Sequence, residues 1–369
     1  MKVLVYGAGP LGTLFAARLK DGGHQVSFLA RGQRLADLRE HGIVLVDSQT
    51  GKETVSRVQI VEKLDPQDAY DLVLVIMRKN RVGEILPVLA ANRCTPNILF
   101  LMNNAAGPGD LVEALGRERV LTGFPMAAGY RRGHIVHYLI GARAGRKARI
   151  PFGEVDGRIT PRTAEVGKVL ASMPGFEADI RSDMDAWLKT HVALLMPSLA
   201  PAMRAAGRDN LRMARTRDLV VLTVRAIREG FRVLGELGIP ITPSSVRKFG
   251  WIPEPVLVWS LQRRLVDPRV RVALLEHAEA AQDEVKHLAD GFLALARQTS
   301  VPTPNIDRLY AYFDPATPRM PDGSAEIPLD WRGIWLSLGG LAGTLAVLGL
   351  LQKTCRSRRR QVETFLEKE

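Results

Sequence analysis

Short apolar runs alternate with stretches of helical periodicity in the first half of the chain. The strand-like runs cover residues 3–6, 26–29, 72–77 and 98–102. Between them, residues 11–20 and 35–40 repeat their apolar positions at the spacing of a helix. Strands that alternate with helices indicate a mostly parallel sheet with helices on its faces, so we predict an α/β domain over residues 1–180.

Helical periodicity takes over after Pro161 and continues through the second half. The predicted helices cover residues 162–173, 184–204, 218–237 and 270–298. We therefore predict an all-α domain over residues 181–314, with the domain boundary near residue 180.

Composition excludes several classes of protein. With 46% hydrophobic and 24% charged residues, the chain of 369 residues is neither disordered nor a many-helix transporter. Its two cysteines, Cys94 and Cys355, cannot build a disulfide framework or a multi-cysteine metal site, and we expect no metal. The net charge of +12 comes mostly from scattered arginines without interleaved aromatic residues, so we do not expect nucleic-acid binding.

A Gly-x-Gly-x-x-Gly motif follows the first predicted strand and opens the first predicted helix. In this context Gly7 allows a tight turn, Gly9 lets the backbone approach a diphosphate, and Gly12 lets the helix pack closely on the strand. The residues predicted to hold the cofactor here are Gly7, Gly9, Pro10, Leu11 and Gly12. We therefore predict a Rossmann-type dinucleotide-binding domain.

The end of the second strand distinguishes NAD from NADP. A carboxylate at this point would bind the ribose 2′-hydroxyl of NAD, whereas an arginine would bind the 2′-phosphate of NADP. Residues 30–34 read ARGQR and contain no acid, so NADP(H) is favoured, with Arg31 as its ligand. Alternatively, Arg31 and Arg34 are ordinary solvated loop residues.

The C-terminal region has a different character. Residues 315–328 contain four prolines, together with Gly323 and Ser324, which predicts a linker over residues 315–331. Residues 334–351 carry no charge, so we predict a hydrophobic membrane helix over 332–352 followed by a basic tail, 353–369. Trp331 and Trp335 would anchor this helix at the lipid interface. The alternatives are a helix docked on protein and a shallow interfacial anchor.

Taken together, residues 1–315 resemble the ketopantoate reductases (2-dehydropantoate 2-reductases). The matching features are the glycine motif, Leu29-Ala30-Arg31-Gly32, Arg78 after the strand at 72–77, Asn103 after the strand at 98–102, Trp187-x-Lys189, and Glu284 upstream of Val301-Pro302-Thr303-Pro304. The resemblance implies a Rossmann half, a helical half, a homodimer, and reduction of the ketone of a 2-keto acid by NADPH.

The resemblance also implies roles for individual residues. Lys189 would be the general acid, Asn103 would lie beside the nicotinamide and substrate, and Glu284 would contact the substrate. Arg78 stands where the family usually has lysine and would bind the cofactor. The alternatives are a lysine that extends to solvent, an asparagine in a turn and a glutamate on a solvated helix face.

This chain departs from the family at several positions. The asparagines expected four and eight residues after the lysine are Ala193 and Pro197, and the serine expected before the glutamate is Val272. These replacements predict a more apolar pocket. We interpret His191 as a structural residue, because it should point to a different helix face from Lys189.

We therefore expect a cytoplasmic NADPH-dependent reductase of a small carbonyl compound, a 2-keto acid or related ketone more apolar than ketopantoate. Residues 334–351 would associate it with a membrane. The alternative is a non-catalytic NADP(H)-binding sensor or scaffold at a membrane, in which the missing polar residues reflect lost chemistry.

Overall fold

The computed structural model describes residues 1–141, 146–270, 272, 281–329 and 331. The strands are β1 Lys2–Tyr6, β2 Gln25–Leu29, β3 Ile43–Asp47, β4 Glu53–Ser56, β5 Gln59–Val61, β6 Leu72–Val75, β7 Ile98–Leu101, β8 Val120–Gly123, β9 Ala127–Arg132, β10 Ile135–Ile140, β11 Ala148–Glu154 and β12 Phe176–Ile180. The helices among them are α1 Pro10–Asp21, α2 Gly32–His41, α3 Leu86–Ala91, α4 Gly109–Leu115 and α5 Pro161–Ser172, with a 3₁₀ helix at Lys79–Glu84.

The main sheet has the strand order β5-β2-β1-β6-β7-β8-β11-β12. Its neighbouring strands are parallel except for the antiparallel pair β8 and β11. The chain runs outward from β1 to β2 and then crosses back to β6, so the strand order reverses between β1 and β6. Ligands of doubly wound sheets bind at the carboxyl ends of the strands at such a reversal. The predicted α/β class is confirmed.

The central strands are apolar because both faces of the sheet are covered. Every residue of β6 and β7 is buried, and so is every residue of β1 after Lys2. This is the pattern of a parallel sheet between two helix layers. A second sheet, β4-β3-β10-β9, lies against α1, where Arg18 donates a hydrogen bond to the Tyr138 hydroxyl at 2.6 Å.

The chain after β12 is helical. Its elements are α6 Met184–Leu194, a π-helical turn Leu195–Leu199, α7 Ala200–Ala205, α8 Asn210–Arg215, α9 Arg217–Glu236, α10 Ser244–Arg247, a 3₁₀ helix Lys248–Gly250, α11 Glu254–Leu265, α12 Pro268–Val270, α13 Gln282–Ala296, α14 Pro304–Tyr310 and a 3₁₀ helix Ala311–Phe313. The core forms around α9, because its apolar side chains contact α6, α11, α13 and α14. The predicted helical region is present.

The segment that composition predicts to be a linker packs against the helical region as far as it is described. Met320 and Ile327 are buried in the helical core. The carboxylate of Asp218, at the start of α9, accepts hydrogen bonds from the Ser324 hydroxyl and the Glu326 backbone N–H, each at 2.7 Å. Prolines prevent a helix here, but buried backbone groups still need partners, and Asp218 supplies them.

The predicted hydrophobic helix, 332–352, and the basic tail, 353–369, lie outside the described residues. Trp331 is described, and its indole N–H donates to Glu254 Oε1 at 3.1 Å, which attaches it to the start of α11 rather than leaving it free. Among the helices that are described, none has both the length and the apolar character needed to span a bilayer.

Candidate active site

The three glycines of the motif differ in the space around them. Gly7 has a φ of +122°, and a Cβ built there would lie 2.2 Å from the carbonyl oxygen of Ile76. A Cβ on Gly12 would lie 1.8 Å from the carbonyl oxygen of Gly7, whereas no atom lies within 4 Å of a Cβ on Gly9. Gly7 and Gly12 therefore close the turn, and Gly9 leaves open space for a ligand.

The first turn of α1 faces this open space. Pro10 occupies the start of the helix, where a missing N–H costs no hydrogen bond, and this turn contains no acidic residue. Leu11 buries its side chain in the core of the sheet domain. The free N–H groups of a helix N-terminus attract anions, so the loop fits the diphosphate of a dinucleotide.

Arg31 follows β2 and is exposed. Its Nε donates to the Glu62 carbonyl oxygen at 3.0 Å, and its Nη2 lies 3.5 Å from the Tyr6 hydroxyl. The Glu62 carboxylate forms an ion pair with Arg39 at 2.7 Å. The Arg31 guanidinium thus stands at the carboxyl end of β2, which is the position that fits a 2′-phosphate.

Arg34 behaves differently from Arg31. It is only 7% exposed and donates to the His134 carbonyl oxygen and the Thr13 hydroxyl, each at 3.1 Å. Burial, reinforced by the nearby charge of Arg131, lowers the pKa of Arg34 to about 10. The interpretation of Arg34 as a solvated loop residue is wrong, because its side chain joins α2 to the second sheet.

The turn after β6 is attached to the start of α13. Arg78 Nη1 donates to Asp283 Oδ1 at 2.7 Å, and the backbone N–H of Lys79 donates to Glu284 Oε1 at 3.0 Å. Burial raises the pKa of the Glu284 carboxyl. Glu284 is therefore not on a solvated helix face, and the structure brings Arg78 and Glu284 to one seam between the sheet and the helices.

Lys189 lies beneath the loop that follows β7. Its side chain is 13% exposed, and its Nζ forms an ion pair with Asp185 Oδ2 at 2.5 Å, one helical turn earlier. Gly107 has a φ of +89°, and a Cβ on it would lie 3.5 Å from Lys189 Nζ. The lysine does not extend freely into solvent. Asp185 was missed in the sequence, although an acid four residues before a lysine is a recognisable helical pair.

Asn103 and Asn104, which follow β7, form different hydrogen bonds. The Asn104 side chain accepts from the Gly107 N–H at 3.1 Å and donates to the Gly107 carbonyl oxygen at 2.7 Å, which closes the loop. Asn103 points instead to α6, where its Oδ1 lies 3.0 Å from His191 Nδ1. Asn104 rather than Asn103 forms the turn.

His191 belongs to the site, although sequence reasoning placed it elsewhere. Its ring is stacked on Trp187, with ring centres 5.2 Å apart, and its centre is 4.3 Å from that of Phe124. Removal from water lowers the pKa of His191 to about 4, so the ring is neutral near pH 7. Since Asn103 Oδ1 only accepts, Nδ1 carries the proton and donates it.

The positions that depart from the family are apolar here. Ala193 is fully buried, and a Cβ built on Gly230 of α9 would lie 3.4 Å from the Cβ of Ala193. Pro197 is buried within the π-helical turn, where the Ser198 hydroxyl donates to the Leu194 carbonyl oxygen at 2.7 Å. Val272 is partly buried. None of these side chains offers a hydrogen bond.

Residues 3–156 match the family model described as Ketopantoate reductase PanE/ApbA. A 2-dehydropantoate 2-reductase from Mesorhizobium japonicum is 23% identical over 350 residues, covering 84% of this chain and 96% of that protein. A second, from Listeria innocua, is 29% identical over 122 residues, covering 33% of this chain and 40% of that protein.

Solved structures share the fold across both halves. The 2-dehydropantoate 2-reductase from Geobacter metallireducens superimposes with a TM-score of 0.67 at 19% identity, covering 86% of this chain and all of the other. This chain is similar to the ketopantoate reductases in sequence over residues 3–156 and in fold over both halves. A D-mandelate dehydrogenase, solved with NADH and anilino(oxo)acetate, has the same fold as this reductase-like chain, with a TM-score of 0.66, 16% identity and coverage of 85% and 97%.

Proposed function

We propose that this reductase-like protein is an NADP(H)-dependent reductase of a small 2-keto acid or related ketone more apolar than ketopantoate. The observation that carries the proposal is the position of Lys189. Its ammonium group is held by Asp185 under the loop after β7, at the carboxyl edge of the sheet where the glycine loop opens. A proton donor is needed at that edge when a carbonyl is reduced.

The cofactor cradle consists of the glycine loop, the first turn of α1 and Arg31. The space over Gly9 and the N-terminus of α1 suit a diphosphate, and Arg31 suits a 2′-phosphate. When bound, the dihydronicotinamide supplies the hydride. We assign Arg78 to the cofactor side of the seam, where its ion pair with Asp283 also ties the cradle to α13.

Lys189 gives its proton to the carbonyl oxygen as negative charge develops there. The ion pair with Asp185 fixes the direction of the ammonium group, and the half-exposed Asp185 side chain leaves a route for water to return the proton. Such a positioned general acid contributes about 10² to 10⁴ in rate.

Asn103 orients the substrate carbonyl and His191 orients Asn103. Because His191 Nδ1 occupies Asn103 Oδ1, the amide Nδ2 is directed to the other side and can donate to the substrate. His191 is thus a positioning residue. Glu284 is a substrate-contacting residue, and burial raises the pKa of its carboxyl above the usual value.

The apolar character of the pocket determines the substrate class. Ala193, Pro197 and Val272 replace polar groups, and the rings of Phe124 and Trp187 surround His191. The D-mandelate dehydrogenase of similar fold is complexed with an aryl-substituted oxo acid derivative. We therefore place branched or aromatic 2-keto acids ahead of ketopantoate. The predicted homodimer and cytoplasmic location are part of the same proposal.

The test is NADPH oxidation by the purified chain against a panel of ketopantoate, 2-ketoisovalerate and phenylpyruvate. We expect the apolar keto acids to have the higher kcat/KM. Lys189→Ala should lower kcat about 10²-fold or more with the Kd for NADPH unchanged. Lys168→Ala, which removes an exposed lysine from α5, is the matched control and should retain wild-type kcat. Undiminished turnover by Lys189→Ala would refute the assignment, and a preference for ketopantoate would refute the substrate class.

A further inference from the structure

The outer face of α11 and the turn before it expose aromatic and basic side chains. Trp251 is 75% exposed and Trp259 is 55% exposed. The Arg263 guanidinium lies over the Trp259 ring, 4.7 Å from its centre. We call this surface the aromatic–basic face, and it consists of Arg247, Lys248, Trp251, Trp259, Arg263 and Arg264. Two large exposed indoles so close in sequence are uncommon on a protein surface that contacts only water.

The positive charge of this face is not balanced by acids from its own segment. Between residues 237 and 266 the sequence contains one acidic residue, Glu254. That carboxylate is already engaged, because Arg225 Nε donates to it at 2.9 Å and Trp331 Nε1 at 3.1 Å. The four exposed cations of the face therefore present a net positive surface.

A cavity of about 530 Å³ adjoins the same turn. Arginines of α9, namely Arg225, Arg228 and Arg232, line it together with Gly250. Arg228 donates to the carbonyl oxygen of Phe249 at 3.0 Å and also bonds to that of Ile252, so its guanidinium is fixed beneath the Trp251 turn. Glu229 also lines the cavity, so its lining combines three arginines with one glutamate, and Gly250 places it next to the Trp251 turn.

Trp331 lies at the start of α11, the helix that carries part of this face. Trp331 is attached to Glu254, the first residue of α11. In the sequence, the uncharged stretch 334–351 begins three residues later and is followed by Lys353, Arg356 and the arginines at 358–360. In the sequence, therefore, an uncharged stretch with a basic flank follows Trp331, which is attached to the start of α11.

We propose that the aromatic–basic face rests on an anionic lipid bilayer, with headgroup phosphates bound at its four exposed cations. Indole rings partition to the interface between lipid and water. Guanidinium groups bind phosphate through paired hydrogen bonds, and each basic residue near an anionic membrane adds attraction. The face would turn the reductase-like body toward the membrane surface, independently of the reaction it performs.

The test is vesicle co-sedimentation of the full chain with phosphatidylcholine vesicles, with and without phosphatidylserine. One variant replaces Arg247, Lys248, Arg263 and Arg264 with Gln. We expect its partition onto phosphatidylserine vesicles to fall at least about tenfold, with little change on phosphatidylcholine alone. The control variant replaces Arg57, Arg93, Arg117 and Lys168 with Gln, which removes the same charge from exposed sites of the sheet half, and should bind as wild type.

A second measurement does not depend on the charge variant folding correctly. Brominated phosphatidylserine lipids should quench the tryptophan fluorescence of the wild-type chain, and much of this quenching should disappear in Trp251→Phe, Trp259→Phe. Equal binding by the target and control variants, or unchanged quenching in the double Phe variant, overturns the proposal. It is also overturned if the target variant changes the sedimentation coefficient of the lipid-free chain while lipid binding is unchanged, since the face then binds a second copy.

Discussion

The glycine loop and helix α6 contribute to the site in different ways. In the loop, Gly7 and Gly12 act through the absence of a side chain, and the contacts that enforce this come from neighbouring backbone. In α6, Lys189 and His191 act through side chains whose direction depends on Asp185 and on Asn103 from the sheet half. The loop therefore depends on close backbone contacts, from its own segment at Gly12 and from the end of β6 at Gly7, whereas the α6 site depends on the direction of side chains. Substitutions in the loop should therefore have large effects where a new Cβ meets backbone, whereas substitutions in α6 should have graded effects.

The strongest test of this comparison is a pair of alanine variants in the loop. Gly12→Ala would place a Cβ 1.8 Å from the Gly7 carbonyl oxygen, so we expect it to lower the free energy of unfolding by about 3 kcal/mol or more. Gly9→Ala meets no atom within 4 Å and should stay within about 1 kcal/mol of wild type. Its Kd for NADPH should nevertheless rise at least about tenfold. Urea unfolding measures the stability of each variant, and NADPH titration measures its Kd. Equal stability of the two variants would contradict the steric account.

In α6, lowering the pH should reveal how much His191 contributes to the stability of the folded state. Its folded-state pKa of about 4 lies below the ordinary value of 6.5, so the neutral ring favours the folded state. This contribution is complete above pH 6.5 and is lost as the pH falls through 4, at a cost of about 3 kcal/mol. Thermal unfolding between pH 7 and pH 4 should show that acid lowers the stability of His191→Gln less than that of wild type.

His287→Gln is the control for this experiment, because it removes an exposed histidine from α13. It should keep the wild-type acid dependence. At pH 7, His191→Gln should also raise KM more than it lowers kcat, since Asn103 would lose its orientation while Lys189 remains. Identical pH profiles for wild type and His191→Gln would show that the ring does not titrate as the structure implies.

The smallest effect concerns a side chain beside the loop. Arg31→Ala should weaken NADPH binding about tenfold, because one charged hydrogen-bonding group to the 2′-phosphate is lost, and should leave NADH binding unchanged. Arg39→Ala is the matched control, since Arg39 is exposed on α2 and pairs with Glu62. Isothermal titration calorimetry with NADPH and with NADH measures the affinity of each variant for both cofactors. Equal loss of NADPH and NADH affinity in Arg31→Ala would remove it from the 2′-phosphate site.

The parts of the fold that were predictable are those encoded locally. The apolar runs locate β1, β2, β6 and β7, and the spacing of Gly7, Gly9 and Gly12 predicts the turn, in which Gly12 packs against the Gly7 carbonyl of the same segment. Lys189 was found through the resemblance to the family. Its ion pair with Asp185 was accessible from helical spacing alone.

The parts that were missed depend on contacts between distant segments. Helix periodicity placed His191 away from Lys189, but α6 lies between the β7 loop and Phe124, so two of its faces meet the site. Composition marked residues 315–331 as a linker, yet Asp218 binds the backbone N–H groups of Glu326 and Ile327 from about a hundred positions earlier. A single sequence gives no signal for such partners, because their spacing has no period.

The seam between the turn after β6 and the start of α13 has a consequence for access to the cleft. Any widening between the two halves at this point must break the Arg78–Asp283 ion pair and the Lys79–Glu284 hydrogen bond together. An ion pair so exposed contributes at most about 1 kcal/mol and weakens as salt rises. We therefore expect higher ionic strength to weaken the ion pair at the seam and to affect the Lys79–Glu284 hydrogen bond, which ends at a buried carboxylate, much less.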